Sequence, residues 1–264
     1  MLIAQLSDPH IRPKGELYQG VADSNRMFEE AIAHVHALDR RPDLMLITGD
    51  LVDEGQPAEY AMARELLSAS RIPVFVIPGN HDHRENFRLA FQDHPYLPKT
   101  GPLHWCNDDH PVRLIGLDSC PAGQHHGQID TQGLAWLAGV LAQDRVKPTL
   151  LMLHHPPLMS GIAYMDKYRY MEAQPLEAVV RAAPNIELVL CGHVHRTMLR
   201  RWAGTVLCSC PSTTTEIDLQ FAPDARPQSH IGPRGCMLHW WDEAHGMVSH
   251  VSHIGDFAGP YGFA

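Results

Sequence analysis

Short apolar runs bounded by turn residues recur along this chain. They occupy residues 2–6, 44–47, 73–77, 112–117, 149–153, 187–191, 205–209, 236–241 and 247–251, and each has the length of a buried strand. Between the early runs the apolar period lengthens to that of a helix. Met27, Ala31, Val35 and Leu38 repeat at helical spacing behind the cap candidates Asp23 and Ser24. Met62, Ala63, Leu66 and Leu67 follow Pro57, a residue suited to a first helical turn. Trp136, Leu137, Val140 and Leu141 follow Thr131 as a cap, and Leu176, Val179 and Val180 follow Pro175. Strand–helix alternation over the first 190 residues predicts an α/β fold with a largely parallel or mixed sheet between helices. After residue 200 the pattern becomes strand–turn–strand, which predicts antiparallel pairing. Residues 212–235 are rich in Pro, Ser, Thr and Gly and fit neither pattern. They read as a surface hairpin, a lid or a dimer arm within a single domain of residues 1–264.

Charge and cysteine usage narrow the function classes. Thirty acidic residues against 21 Lys and Arg give a formal net charge of −9, and no basic run of five exists. Binding to a nucleic-acid polymer depends on clustered cations, so that class is disfavoured. No apolar stretch has the length of a membrane span, and no cationic leader precedes the first strand, so a cytoplasmic protein without a membrane partner is expected. The six cysteines show no CxxC pairing; Cys191, Cys208 and Cys236 lie inside apolar runs, where a reduced thiol acts as a small hydrophobe.

The chemistry sits where strands end. Asp8-Pro9-His10, Gly49-Asp50-Leu51-Val52-Asp53, Gly79-Asn80-His81-Asp82, His154-His155-Pro156-Pro157 and Gly192-His193-Val194-His195 each follow an apolar run. Ligands of open α/β sheets bind outside the carboxyl ends of strands, so five strands deliver polar groups to one edge. Asp8, His10, Asp50, Asn80, His154, His193 and His195 combine carboxylate, amide and imidazole, a set suited to Zn, Fe, Mn or Co. Seven donors exceed the needs of one tetrahedral ion and suit two ions that share a carboxylate. Gly49, Gly79 and Gly192 precede ligands at points where a sharp turn needs a permissive backbone.

These five motifs, in this order, resemble the calcineurin-like metallophosphoesterase superfamily, whose pattern is D-x-H, G-D-x-x-D, G-N-H-[DE], a later H, and G-H-x-H. The opening Ile3-Ala4-Gln5-Leu6-Ser7-Asp8, the His154-His155-Pro156-Pro157 run and the closing Ala258-Gly259-Pro260 are similar to the bacterial glycerophosphodiesterase and class III cyclic-nucleotide phosphodiesterase branch. The resemblance implies a four-layer αββα sandwich of two mixed sheets flanked by helices. It implies two divalent ions, one held by Asp8, His10, His195 and the bridging Asp50, the other by Asp50, Asn80, His154 and His193. It implies hydrolysis of small phosphodiesters by a hydroxide shared between the ions, with Asp50 and Asn80 in the centre. His81 stands beside the metals as the general acid, oriented by Asp82 or another carboxylate.

Sister functions share the same motifs. A phosphomonoesterase or protein phosphatase would use the same donors, and a non-catalytic scaffold of the same fold would lack some of them; none is missing. In the glycerophosphodiesterase group a further pocket histidine follows the Gly-His-x-His segment. Ser212-Thr213-Thr214-Thr215 stand there instead, closer to the cyclic-nucleotide members. Relatives assemble through this segment, so a homo-oligomer, dimer or higher, is expected, with Leu219 and Phe221 as its contacts.

The remaining polar residues carry plainer expectations. His155 is read as a neighbour of the ligands and Asp53 as structural. His34, His36, His125 and His126 are read as solvated, and Asp108-Asp109-His110, His250 and His253 as surface. Met152 and Met159 belong to core or pocket wall. Tyr164, Tyr168 and Tyr170 either line an entrance or pack.

Overall fold

The computed structural model describes residues 1–262. Two sheets lie face to face. The first contains β1 (Leu2–Leu6), β2 (Leu44–Thr48) and β3 (Val74–Ile77), joined by α1 (Ser24–His36) and α2 (Pro57–Ser68). The second contains β4 (Trp105–Asn107), β5 (Arg113–Leu117), β6 (Thr149–Leu153), β7 (Ile186–Cys191), β8 (Met198–Trp202) and β9 (Thr205–Ser209). Its crossover helices are α4 (Thr131–Gln143) and α5 (Ala173–Arg181), while α3 (Arg84–Ala90) leads from the first sheet to the second. A two-stranded ribbon, β10 (Glu216–Ile217) and β11 (Ser229–His230), precedes the long hairpin β12 (Arg234–Asp242) and β13 (Gly246–Ile254). The sheet orders are β13-β12-β1-β2-β3 and β4-β5-β6-β7-β9-β8, both mixed.

Side-chain alternation assigns the layers. Along β6, Leu150 and Met152 join the core between the sheets, whereas Leu151 and Leu153 pack with Leu137, Val140 and Leu141 of α4 and Leu176 and Val180 of α5. On the other side Phe28, Ala31, Ile32 and Val35 of α1 and Tyr60 and Ala63 of α2 cover the first sheet. The order helix, sheet, sheet, helix is the αββα sandwich. Both sheets are covered on two faces, so their central strands are buried at almost every position.

Several local expectations need correction. Asp130, not Thr131, caps α4, its carboxylate accepting from the Gly133 N–H at 2.7 Å. Helix α5 begins at Ala173, which puts Pro175 inside the first turn, where its missing N–H costs nothing. Leu38 falls beyond the end of α1. The late antiparallel pattern is split between sheets. β8 and β9 form a hairpin, yet β9 runs parallel to β7; β12 returns to the start of the chain and pairs with β1, Leu2 opposite Trp240. The edge strands β4 and β8 and helix α3 have no counterpart among the sequence expectations, because short exposed elements leave little apolar period to read.

Candidate metal centre

The carboxyl ends of β1, β2, β3, β6 and β7 converge on one point of the sandwich. Asp8, His10, Asp50, His154, His193 and His195 are all buried there. The backbone is forced: Asp8, His10, Asp50, His193 and His195 have φ of 52°, 47°, 47°, 69° and 53°. Each such left-handed residue costs about 1–3 kcal/mol and persists only where the surroundings over-determine it. Of the three preceding glycines, only Gly49 has a left-handed φ, 93°. Gly79 and Gly192 are needed for proximity: a Cβ would lie 2.2 Å from the Asp50 carboxylate in one case and 2.2 Å from Ser7 Oγ in the other. Turn permissiveness thus explains one glycine and close approach the other two.

Asp50 sits in the middle. Its Oδ2 lies 3.2 Å from His154 Nε2 and 3.8 Å from His10 Nε2. Asp8 Oδ1 lies 3.5 Å from His195 Nε2 and 3.9 Å from His154 Nε2, and His10 Nε2 lies 3.2 Å from His195 Nε2. Four overlapping donor groups occur among the described residues: Asp8 with His10 and His195, Asp8 with Asp50 and His154, His154 with His155 and His193, and His10 with Asp53 and His81. His154 therefore approaches both carboxylates.

Two outward nitrogens are held: His154 Nδ1 donates to the Thr48 carbonyl at 2.8 Å and His195 Nδ1 to the Thr215 carbonyl at 3.0 Å. His10 Nδ1 faces Asp53 Oδ1 at 3.4 Å but, buried, has no hydrogen-bond partner among the described residues. The inward atoms His154 Nε2, His193 Nε2 and Asn80 Oδ1 are buried without a hydrogen-bond partner among the described residues. Buried polar atoms are almost always satisfied, so this cluster of orphans fits donors that await cations. Charge balance agrees. Burial, reinforced by the Asp50 charge, pushes Asp8 up to about 7 against the opposing pull of His154. Burial, then His154, pushes His193 down to about 3. Burial opposes a charge on His154, but Asp50 and Asp8 outweigh it and raise that imidazole to about 9.

His155 lies within the same histidine cluster, yet both its nitrogens are engaged, Nδ1 with Ser119 Oγ at 2.9 Å and Nε2 with the His125 carbonyl at 3.2 Å. His81 is half-buried at the rim. Its Nδ1 donates to the Asp53 carbonyl at 2.7 Å, and the Asp53 carboxylate stands 3.5 Å away. Burial opposes its charge, but Asp50 and Asp53 prevail and hold it up at about 10. The orienting carboxylate is Asp53, not Asp82. Asp82 instead accepts from the N–H groups of Leu51 and Gly79 and from Tyr60, lacing the loops together. Arg12 holds Asp53 in turn at 3.1 Å.

A cavity of about 430 Å³ opens above the centre. Its floor includes His10, Asp50, Asn80, His81, His193 and His195; its roof comes from Tyr164, Tyr168 and residues 217–229. Tyr170 is packed away and accepts from the Ile129 N–H. Tyr18 and His125 were not foreseen at the cavity, whereas Thr215 belongs to the run already set at a pocket position. Tyr18 stacks on His10, ring centroids 4.5 Å apart. His125, expected to be solvated, is exposed but lines the cavity, 6.2 Å from the His81 ring. Thr215 belongs with the ligands because Ser212 and Thr214 clamp the segment onto the Asp8 and Pro9 carbonyls at 2.8 Å each. Of the two unforeseen residues, only His125, in the His125-His126 doublet beside glycine, carried any signal.

The family of the calcineurin-like phosphoesterases matches residues 1–197 of this chain, a span that runs through all five strand-end motifs. The chain belongs to that family. Among relatives of this calcineurin-like phosphoesterase, a protein of Arcobacter nitrofigilis described as a probable glycerophosphodiester phosphodiesterase, GpdQ, is 33% identical over 100% of this chain and 97% of its own length. The 3',5'-cyclic adenosine monophosphate phosphodiesterase CpdA of Escherichia coli K12 is 32% identical over 84% of this chain and 78% of its own. In fold, a dimetal phosphatase from Danio rerio superposes with a TM-score of 0.68 at 14% identity, covering 97% of each chain. No helix among the described residues is long and apolar enough to cross a membrane.

Proposed function

We propose that this calcineurin-like phosphoesterase is a phosphodiesterase that hydrolyses small phosphodiesters, cyclic nucleotides or glycerophosphodiesters, with two divalent ions from among Fe, Mn, Zn and Co. The observation that carries the reading is the set of orphaned inward atoms on His154, His193 and Asn80 at the floor of a cavity of small-molecule size. Asp8, His10, His195 and Asp50 would hold one ion, and Asp50, Asn80, His154 and His193 the other. When bound, the ions supply Lewis-acid activation of water and positive charge that draws a phosphate into an otherwise acidic protein.

The chain's own residues do the rest. Asn80, His10, His193 and His195 line the cavity floor, where the scissile phosphate would lie. His81 has Nδ1 tied to Asp53, which leaves Nε2 as the ring atom able to give a proton to the departing alkoxide. Thr215, Tyr164, Tyr168 and the roof segment line the part of the cavity where the leaving group would sit. Phe221 rests beside Gly161 and links the two parts of that roof. Leu219 and Phe221 are 48% and 67% exposed, which supports assembly into a dimer through this arm; a monomer in light scattering would overturn that part. Metal-free protein reconstituted with manganese, cobalt or zinc should hydrolyse cyclic AMP, cyclic GMP or glycerophosphocholine faster than p-nitrophenyl phosphate. A preference for the monoester, or no turnover at all, would refute the phosphodiesterase reading.

A further inference from the structure

Beneath the centre a buried polar chain crosses between the sheets. Gln5, Ser7, Thr48 and His239 are fully buried. The Gln5 amide nitrogen lies 2.9 Å from Thr48 Oγ1 and 3.1 Å from the Cys191 carbonyl, and its oxygen lies 3.0 Å from His239 Nε2. A carbonyl only accepts, so the amide NH₂ must face Cys191 and the amide oxygen must face His239. His239 Nε2 therefore carries the hydrogen, and Nδ1 accepts from Ser249 Oγ at 2.8 Å. Burial pushes His239 down to about 3, in keeping with the neutral ring that this pattern needs.

From Gln5 the direction continues to the ligands. With its oxygen occupied by the Gln5 donor, Thr48 donates to Ser7 Oγ at 2.8 Å. Ser7 is left to donate its one hydroxyl hydrogen to the Thr48 carbonyl at 3.3 Å, and that carbonyl also accepts from His154 Nδ1 at 2.8 Å. The three residues bonded in sequence thus stand immediately before Asp8, before Gly49-Asp50, and at Cys191 before the Gly192-His193-Val194-His195 segment. The first sheet contributes Asp8, His10, Asp50 and Asn80, the second His154, His193 and His195. Apolar packing sets the overall distance between the sheets, and directional polar contacts refine the spacing of the two halves: this polar chain is one, beside the His154 Nδ1–Thr48 carbonyl and His193 N–H–Asp8 carboxylate bonds.

We propose that Gln5, oriented by His239, is a positioning residue that sets the distance between the two halves of the metal centre and so its affinity for divalent ions. The inference rests on the dinuclear reading above. Outer partners of metal ligands commonly change affinity about 10–100-fold when removed.

The test is titration of metal-free protein with manganese or cobalt, read by calorimetry and by the cobalt absorption spectrum. Gln5→Leu and His239→Phe should each weaken binding by about 10–100-fold and alter the cobalt spectrum. Ser249→Ala, at a half-buried position of β13, removes only the outermost donor and should weaken it less; it keeps the test open if the other two fail to fold. Leu137→Ala, in the core beneath α4, serves as a variant of lowered stability and should bind as the parent does. Parent-like affinity and spectrum in His239→Phe or Ser249→Ala, or equal weakening in Leu137→Ala, would overturn the role of the chain. Failure of the parent protein to bind any divalent ion would instead sink the dinuclear reading itself.

Discussion

The floor and the roof of the cavity are built in opposite ways. The floor is made of the ends of five strands from two sheets, buried, with five of the candidate donors in left-handed backbone and Gly79 and Gly192 packed too tightly for a Cβ. The roof is a loop and a ribbon held by two residue pairs, Glu216 with His230 and Ile217 with Ser229, and most of it is exposed. On the function proposed above, chemistry would be fixed in the rigid part, and selection of the leaving group left to a part that can change without disturbing the core.

The sharpest way to break this contrast is Asp50→Ala. Loss of the shared carboxylate should reduce turnover by more than ~10⁴-fold, beyond what one acid–base group supplies, together with the metal content measured by atomic absorption. A variant that keeps both would mean that the floor is not the site of reaction. His81→Ala should keep its metals and slow esters with poor leaving groups by ~10²–10⁴-fold while leaving p-nitrophenyl esters nearly unaffected. Equal losses on both would remove the acid role.

Chelation tests the floor without mutation. Cations that bind only the folded state stabilise it by about 2.7 kcal/mol at 100 times their Kd, so their removal should lower Tm by roughly 5–11 °C. An unchanged Tm would show that the orphaned atoms do not await ions. The smallest effect belongs to the roof. Arg226→Ala should raise KM by roughly 2–10-fold, the value of one hydrogen-bonded contact, with kcat unchanged. A kcat loss as large as that of His81→Ala would dissolve the distinction between roof and floor.

Legibility followed the same line. The nine apolar runs all became strands, because a strand covered on both faces must be apolar throughout. The ligand candidates were visible because each follows such a run. Asp53 was read as structural, and its task was assigned to Asp82 or another carboxylate, since which of two nearby carboxylates reaches a histidine depends on loop geometry, not spacing. His125 was missed for a related reason: it reaches the cavity through a segment tied down by the contact of its carbonyl with His155, 30 positions along the chain.

The sequence by itself determined the alternation of strands and helices and the inventory of donors at strand ends, since these depend on local periodicity and residue order, and through its ordered motifs the family resemblance that implied the sandwich. Only the tertiary structure decided that β12 closes the first sheet beside β1, that Asp50 stands between His10 and His154, and that Gln5 joins the sheets beneath them. Such facts are distances between residues as many as 238 positions apart, and no local pattern carries them.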